Sequence, residues 1–372
     1  MRISVRQPFS AAALLCGLLF LSGCQSEIPR EAGSGGSTAT PVATRRIIIL
    51  VNNPSSFWDA CRAGVLDANR ELNLESQGLV ASMEVPDGTI QGQLDRLRQF
   101  ATQSDIAAIG ISPLESDNAA IADELKKLKE KGVHIVTFDS DLNRERYRDL
   151  RTAFLGTNNF AGGQALGLCA KLLRPDGGQY VSFVGRTGAQ NAIERIDGFA
   201  EGAGESFQSQ DTMADDGDRS RAKENVRNAI RNHAGLNTLV GIWSYNAPAI
   251  VDIVRELQVR DKFSVVVFDA EPLTIEAMQA GDVDALVVQD PYAMGYQSVR
   301  LLAGMAGKNE AVQKEMLPQL GQPDGDLFDT GIKVVVPDDK SVITGSQFTG
   351  KVQHMTLATF KEWLAKYGLS GS

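Results

Sequence analysis

The residues with the clearest capacity for chemistry are polar side chains that follow apolar, strand-like segments. They are Asn52, Asn53, Ser112, Asp139, Asn246, Asp269, Gln289 and Asp290. Arg195 joins them from a predicted helix that begins just past a strand end. Amides, carboxylates and a guanidinium form paired hydrogen bonds with vicinal hydroxyl groups, and each charge-assisted bond contributes about 1.5–3 kcal/mol. The same residue types also cap helices and form turns, so the prediction of a hydroxyl-binding site depends on the whole set.

Three aromatic residues accompany this polar set. Phe57 and Trp58 come a few residues after the first strand-like segment, and Trp243 ends a later one. A flat aromatic ring packs well against the apolar C–H face of a pyranose or furanose ring. The alternative is that these rings belong to the hydrophobic core. Together with the polar set, they favour a site for a sugar-like molecule.

The elements that would position these side chains are alternating strands and helices. Residues 47–51 form an unbroken apolar run, mostly β-branched, which is typical of a strand buried on both faces of a parallel sheet. Residues 52–54, Asn-Asn-Pro, end that strand, and Ser55 or Ser56 is placed to cap the next helix. Ligands of open α/β sheets bind at the carboxyl ends of the strands, where this polar and aromatic cluster lies.

The same alternation continues along the chain. Predicted strands cover residues 47–51, 80–85, 106–111, 133–138, 151–156, 180–184, 239–243, 263–268, 285–288 and 332–336. Helical spacing of apolar residues separates most of them, which predicts parallel sheets with helices on both faces. A break near residues 140–156 divides the pattern into two such units. Residues 309–329 have no periodicity and are interpreted as an insertion before the final crossover.

Composition and motifs exclude several classes of protein. The formal charge is −9, and an acidic body argues against nucleic-acid binding, which needs a basic face. The three histidines lie far apart and there is no Cys-x-x-Cys pair, so no metal site is predicted. The sequence lacks the motifs of serine hydrolases, phosphate-binding loops and zinc proteases, so no catalytic residue and no cofactor are expected.

Asp139 and Asp269 raise the question of catalysis, because a pair of carboxylates hydrolyses glycosidic bonds in many enzymes. Arg195 is expected to lie near both carboxyl groups and to keep both ionised. Two ionised carboxylates suit hydrogen bonding rather than acid catalysis, so a glycoside-processing enzyme is kept only as a remote alternative.

The N-terminal residues are predicted to be a targeting signal. Residues 1–24 combine a positive start, with Arg2 and Arg6, and an apolar run shorter than the roughly 20 residues needed to span a bilayer. They end in Leu-Ser-Gly-Cys, which resembles the lipobox of bacterial lipoproteins, so Cys24 is the predicted lipidation site. The alternative is an ordinary secretory signal with a chance cysteine. Residues 25–44 are rich in Gly, Ser, Thr, Ala and Pro and are predicted to be a flexible tether.

Two further cysteines, Cys61 and Cys169, lie in helices predicted to belong to different units. A disulfide between them would prevent one unit from moving relative to the other. Both are therefore predicted to be reduced and buried, which is common for lone cysteines.

Five segments together resemble the ribose- and galactose-type periplasmic sugar-binding proteins, the type I solute-binding family of ABC importers. They are residues 52–64, 136–139, 156–163, 194–199, and 268–269 with 288–295. Each segment is weak alone, and together they extend the resemblance from about residue 45 to residue 336. The resemblance implies an α/β fold of two doubly wound parallel-sheet lobes joined by a three-strand hinge.

The resemblance also implies lobe boundaries and ligand-binding residues. The N-terminal lobe would comprise residues 45–156 and 290–329, and the C-terminal lobe residues 157–289 and 330–368. Hinge strands would lie near residues 154–157, 289–290 and 329–331. The implied sugar-binding residues are Asn53, Phe57, Trp58, Asp139, Arg195, Asn246, Asp269 and Gln289.

The implied function is that of an extracytoplasmic solute-binding lipoprotein, which captures a monosaccharide or related polyol between its lobes and delivers it to an ABC importer. Its partners would be the sugar and the transporter permease. It would act as a monomer, held by its lipid anchor alone on the periplasmic or cell-surface side of a bacterial membrane. The alternative left open is a sensor that presents bound sugar to a receptor kinase or chemoreceptor.

Departures from the ribose-binding pattern predict a different sugar. Ser55 and Ser56 separate Asn-Pro from the aromatic pair, and Ser140 follows Asp139 where ribose-binding proteins have arginine. An aromatic residue of the second lobe is expected to be replaced near residues 216–218. These changes alter both the donors and the shape of the predicted site.

Overall fold

Two β-sheets organise the part of the chain that the structure describes. The structure is a computed structural model, and it describes residues 44–372. The predictions of a signal peptide over residues 1–24, of lipidation at Cys24 and of nearly the whole tether lie outside the described residues. Within residues 44–372, no helix is both long enough and apolar enough to cross a bilayer.

Thirteen strands are present in the described residues. In chain order they are β1 (Arg45–Leu50), β2 (Leu79–Glu84), β3 (Ile106–Ile111), β4 (His134–Phe138), β5 (Phe154–Gly156), β6 (Gly178–Val184), β7 (Phe207–Ala214), β8 (Leu236–Gly241), β9 (Ser264–Phe268), β10 (Ala285–Val288), β11 (Leu327–Asp329), β12 (Ile332–Val336) and β13 (Val352–Thr356).

Twelve α-helices connect or flank these strands in the same part of the chain. In chain order they are α1 (Phe57–Glu71), α2 (Ile90–Ala101), α3 (Ala119–Glu130), α4 (Arg144–Tyr147), α5 (Asn159–Leu173), α6 (Gln190–Ala203), α7 (Arg219–Asn232), α8 (Asn246–Glu256), α9 (Pro272–Gln279), α10 (Pro291–Ala306), α11 (Glu310–Met316) and α12 (Leu357–Lys366).

The strands form one six-stranded and one seven-stranded sheet. The first sheet has the order β11-β5-β4-β3-β1-β2, and all its pairs are parallel. The second has the order β13-β12-β10-β9-β8-β6-β7, and only the β10–β12 pair is antiparallel. The chain passes between the sheets three times, after β5, between β10 and β11, and between β11 and β12. The predicted fold class, two parallel α/β sheets joined by three connections, is confirmed.

The start of the first sheet follows the predicted pattern. Ile47, Ile48, Ile49 and Leu50 are fully buried, as a central strand covered by helices on both faces requires. One of the two serines predicted to cap α1 bonds to the start of the helix. Ser56 occupies the cap position without a side-chain hydrogen bond, and Ser55 Oγ accepts a hydrogen bond from the Phe57 N–H at 3.3 Å.

Helices α5 and α6 pack with their backbones in unusually close contact. A Cβ atom at Gly163 would lie 2.3 Å from the carbonyl oxygen of Arg195, so no larger residue fits at that point of α5. The small residues of α5 therefore allow α6 to approach, and this approach places the Arg195 side chain beside the carboxyl ends of β8 and β9.

The sequence pattern missed three strands and misread one segment. Strand β7 lies at a sheet edge, and only its first residue, Phe207, is buried, so its mostly polar sequence gives little strand signal. Strands β11 and β13 are short or half-exposed. The interpretation of residues 309–329 as an aperiodic insertion was wrong, because α11 and β11 lie within it and β11 pairs with β5.

Cys61 on α1 and Cys169 on α5 are free and fully buried, which confirms the prediction for both. Burial raises the pKa of each thiol far above its usual range, so both side chains remain protonated.

Candidate functional site

A cavity lies where the carboxyl ends of strands from both sheets meet. Its empty space is about 340 Å³, a volume that includes the open mouth. Its lining residues are Asn52, Asn53, Ser55, Phe57, Trp58, Asp139, Asn191, Arg195, Trp243, Ser244, Tyr245, Asp269 and Gln289. Seven of the eight residues predicted for the site therefore surround one cavity.

Asn246 is the eighth predicted residue, and it does not line the cavity. Its amide oxygen accepts a hydrogen bond from the Trp243 N–H at 2.9 Å, and its NH2 group donates to the buried carboxylate of Asp215 at 3.0 Å. The prediction placed it in the cavity because it follows a strand end. The structure instead gives that place to Ser244 and Tyr245, which form the turn before α8.

Arg195 is the most deeply buried charge of the site, with 1% of its surface exposed. Its Nε donates to Asn159 Oδ1 at 2.9 Å and its Nη1 to the carbonyl oxygen of Ile242 at 3.0 Å. The guanidinium also lies over the Phe268 ring, 4.4 Å from its centroid. Burial lowers the pKa of Arg195, although Asp269 and Asp139 oppose this effect. These contacts hold the group rigidly beside the cavity.

Asp139 follows β4 and has several hydrogen-bond donors around it. Ser112 Oγ and Asn191 Nδ2 donate to its Oδ2 at 2.8 and 3.4 Å. Burial raises the pKa of Asp139, and the charge of Arg195 together with these two hydrogen bonds counteracts the increase. The carboxylate thus belongs to the first sheet but receives a hydrogen bond from α6 on the other side of the cavity.

Asp269 follows β9, and both of its donors belong to Gln289. Gln289 Nε2 contacts both carboxylate oxygens, at 3.1 and 3.0 Å, and the Gln289 backbone N–H donates to Oδ1 at 3.3 Å. Arg195 Nη1 lies 3.9 Å from Oδ2, too far for a direct hydrogen bond. Burial raises the pKa of Asp269 to about 7, despite the opposing charge of Arg195. The expectation that Arg195 keeps both carboxylates ionised was therefore wrong for Asp269, because desolvation outweighs the ion pair.

Two buried polar atoms at the cavity wall have no hydrogen-bond partner among the described residues. They are Arg195 Nη2, a donor, and Gln289 Oε1, an acceptor. An unpaired buried polar atom costs about 1–3 kcal/mol, so most such atoms in proteins are satisfied. A ligand that both accepts and donates hydrogen bonds would satisfy this pair.

Asp139 and Asp269 share an uncommon backbone conformation. Their φ angles are +59° and +64°, in the left-handed region that non-glycine residues seldom adopt. Such strain is maintained only where the surrounding structure enforces it, and it is concentrated at functional sites. In both sheets it turns a carboxylate toward the space beyond the strand end.

Aromatic rings form the apolar walls. Phe57 and Trp58 meet edge to face at 4.8 Å between centroids, and Trp58 Nε1 donates to Asn53 Oδ1 at 3.3 Å. On the other side, Trp243 and Tyr245 lie 6.3 Å apart. The turn after β8 thus supplies two aromatic rings to this side of the cavity, while the replacement of an aromatic residue near residues 216–218 stays a prediction.

The Trp243 ring fits only because Gly185 follows β6. A Cβ atom at position 185 would lie 2.1 Å from this ring and 2.6 Å from the Tyr245 hydroxyl group. Trp243 Nε1 donates to Asn191 Oδ1 at 3.3 Å, which fixes the ring plane.

The sequence reading missed Asn191, Ser244 and Tyr245 as site residues. A signal for Asn191 existed, because it precedes Arg195 by four positions on α6 and so lies on the same helix face. Ser244 and Tyr245 form the turn directly before Asn246, and the prediction selected Asn246 in their place.

The two sides of the cavity contact each other directly around it. The Ser116 N–H donates to the Gly188 carbonyl at 3.1 Å, and Arg144 forms an ion pair with Glu194 at 3.3 Å. A cavity enclosed in this way between two α/β lobes, with hydrogen-bonding and aromatic walls, defines a two-lobed ligand-binding protein.

The chain belongs to the family described as periplasmic binding protein domain, whose model matches residues 47–310. This membership agrees with the prediction that the protein binds a ligand and is not an enzyme. The chain is also similar to the D-allose-binding periplasmic protein of Escherichia coli K12, with 22% identity over 289 residues, covering 76% of this chain and 91% of the relative.

Solved structures share the fold. A solute-binding protein of an ABC transporter from Burkholderia graminis, in complex with D-arabinose, matches with a TM-score of 0.68 and 24% identity over 82% of this chain and 99% of its own. One from Agrobacterium vitis with bound D-fucose matches with a TM-score of 0.69 and 20% identity, over 81% and 98%.

Proposed function

We propose that this protein is an extracytoplasmic solute-binding lipoprotein that captures a monosaccharide or related polyol and delivers it to an ABC importer. The observation that carries the proposal is the cavity itself. Two carboxylates, a guanidinium and four amides lie there together with aromatic rings, as a ring with hydroxyl groups on its edge and C–H groups on its faces requires. The D-allose, D-arabinose and D-fucose named for similar proteins support the ligand class.

The proposal extends to the mechanism and the lobes. Residues 45–156 with 290–329 would form one lobe and residues 157–289 with 330–368 the other, in agreement with the division of the strands between the sheets. A sugar that contacts both lobes stabilises the closed arrangement by its differential affinity for it. Asn53, Phe57, Trp58 and Asp139 would bind from the first lobe, and Arg195, Asp269 and Gln289 from the second, while Asn246 supports the turn.

A thermal-shift screen of pentoses, hexoses, deoxy sugars and polyols tests the ligand class. Micromolar binding corresponds to about −8 kcal/mol, and a sugar at roughly 100 times its Kd should stabilise the protein by about 2.7 kcal/mol. The expected result is a rise in Tm for a small group of related sugars. If none of these compounds changes Tm or produces heat in calorimetry, the proposed function is wrong.

Membrane attachment is tested separately in a bacterial host. The full-length chain should partition into the detergent phase of a Triton X-114 extract, and Cys24→Ser should move it to the aqueous phase, because stable anchoring needs more than one acyl chain. Equal partitioning of the two proteins would contradict lipidation at Cys24.

A further inference from the structure

A second compartment adjoins the sugar cavity. Its empty space is about 620 Å³, and it shares one wall residue with the cavity, Phe57. A second wall residue of the compartment, Glu271, contacts the cavity residues Ser55 and Ser244. Its other walls are α1, through Ser56, Asp59 and Ala63, and the segment 367–372 that follows α12.

The segment 367–372 is held firmly against the second sheet. The Ser372 N–H donates to the Ala270 carbonyl at 3.0 Å, and the Ala270 N–H donates to the Ser372 carbonyl at 2.7 Å. Ala270 directly follows Asp269, so this wall is attached to the strand end that carries the site carboxylate. At its start, the Tyr367 ring packs against Tyr292 of α10 with centroids 5.0 Å apart.

Glu271 lies at the boundary between the two spaces and is 5% exposed. Its Oε1 accepts a hydrogen bond from Ser244 Oγ at 3.0 Å, while Ser55 Oγ and Arg219 Nη2 lie 3.4 and 3.6 Å away. In the described part of the chain its Oε2 has no hydrogen-bond partner. A buried carboxylate with one free oxygen is a strong acceptor for a ligand hydroxyl group.

A further unpaired polar atom lies in the compartment wall. Ser372 is 2% exposed, and its Oγ has no hydrogen-bond partner among residues 44–372. The aromatic ring of Tyr367 and the carboxylate of Asp59 lie in the same wall. The compartment thus repeats the mixture of donors, acceptors and aromatic surface found in the sugar cavity.

We infer that the ligand is a glycoside: one sugar ring fills the cavity and a second sugar or polyol group, joined to it, occupies the compartment beyond Phe57 and Glu271. The inference rests on the proposed function. It follows from the presence of a second polar space, with unpaired hydrogen-bonding atoms in its wall, next to the cavity proposed to bind a sugar ring. Glu271 would bind a hydroxyl group at the junction of the two units.

The test compares one monosaccharide with its extended forms. The parent is the best monosaccharide from the thermal-shift screen, and the extended ligands carry glucose joined at each of its hydroxyl positions in turn. Calorimetry should find one linkage that binds at least tenfold more tightly than the parent. If no extended ligand binds more tightly than the parent, the inference is overturned while the proposed function stands. If no sugar binds at all, the proposed function itself has failed.

A cavity-filling variant tests whether the tighter binding of the extended ligand arises in the compartment. Ala63→Phe should remove the advantage of the extended ligand and leave the Kd of the parent within about twofold, because the side chain enters only the second space. Leu66→Phe is the matched control on the exposed face of α1, where Leu66 is 59% exposed, and it should keep the gain. If Ala63→Phe does not fold, Ser56→Phe fills the same space. A gain that persists in a folded filled variant contradicts the inference.

Discussion

Asp139 and Asp269 occupy corresponding places in the two sheets, each in a left-handed conformation just after a strand, yet their surroundings differ. Ser112 and Asn191 both donate to Asp139, one from each side of the cavity. Asp269 receives its hydrogen bonds from a single residue, Gln289, through its backbone N–H and its Nε2, and the pKa of Asp269 rises to about 7. The two carboxylates thus differ in where their donors come from. Asp139 is bonded from both sides of the cavity, whereas Asp269 and Gln289 form one hydrogen-bonded unit on the second side.

The largest predicted effect comes from removing the Asp269 carboxylate. Asp269→Ala should weaken sugar binding at least 100-fold, because a charged hydrogen bond contributes about 1.5–3 kcal/mol and the variant also leaves Gln289 Nε2, in the wall of the same cavity, without its acceptor. Thermal shift and calorimetry measure the loss, and circular dichroism checks the fold.

Asp139→Ala should weaken binding less than Asp269→Ala, since Asn191, one of the donors to Asp139, stays fixed by its hydrogen bond from Trp243 Nε1. Asp261→Ala, at an exposed position, is the control and should bind as the unmodified protein does. A larger loss at Asp139 than at Asp269 would reverse the comparison.

A change in the aromatic wall on the Asp269 side should have the next largest effect on sugar binding. Gly185→Ala forces the Trp243 ring to move, since its Cβ would lie 2.1 Å from that ring. Overpacking of this kind costs about 2 kcal/mol, or roughly 30-fold in Kd. Gly188→Ala is a matched control, because the nearest atom to its Cβ is 3.9 Å away. Equal binding by both variants would show that the ring position does not matter.

The raised pKa of Asp269 predicts pH-dependent binding. An acid with a pKa of about 7 is mostly ionised at pH 8 and mostly protonated at pH 6. If the ligand donates to the ionised form, binding lowers this pKa and releases a proton, so Kd should rise about tenfold from pH 8 to pH 6. Calorimetry in two buffers of different ionisation enthalpy detects the released proton. A Kd that is flat over this range would mean that Asp269 is already ionised before binding.

Asn246→Ala should have the smallest effect on binding. The variant removes a donor from buried Asp215 and an acceptor from the Trp243 N–H, so the free energy of unfolding should fall by about 1–3 kcal/mol. At a temperature where the variant is fully folded, its Kd for the sugar should change by less than about fivefold, because the side chain does not line the cavity. A loss as large as that of Asp269→Ala would restore Asn246 as a direct ligand-binding residue.

The first side of the site was easier to predict from sequence than the second. The strand, the Asn-Pro stop and the aromatic pair near Phe57 are contiguous, so local rules place them together. On the second side, the position of Arg195 depends on the close approach of two helices at Gly163, and Trp243 depends on Gly185 from another strand. Such contacts arise from tertiary packing, which periodicity does not report.

Edge strands show the same limit of sequence-based prediction at the level of the fold. Buried strands such as β1 were read correctly because burial on both faces leaves an apolar run. Strand β7, with mostly exposed side chains, and the three-residue β11 leave no such run. The pKa of Asp269 was misjudged for a related reason, since the presence of Arg195 was visible in the sequence and the depth of burial was not.

A crystal structure of the protein with the sugar that gives the largest thermal shift tests the central claim most directly. The account predicts one sugar ring in the cavity, hydrogen-bonded to Asp139 from the first sheet and to Asp269 and Arg195 from the second. A ring that contacts side chains of one sheet only, or a sugar bound elsewhere with this cavity unfilled, would contradict it.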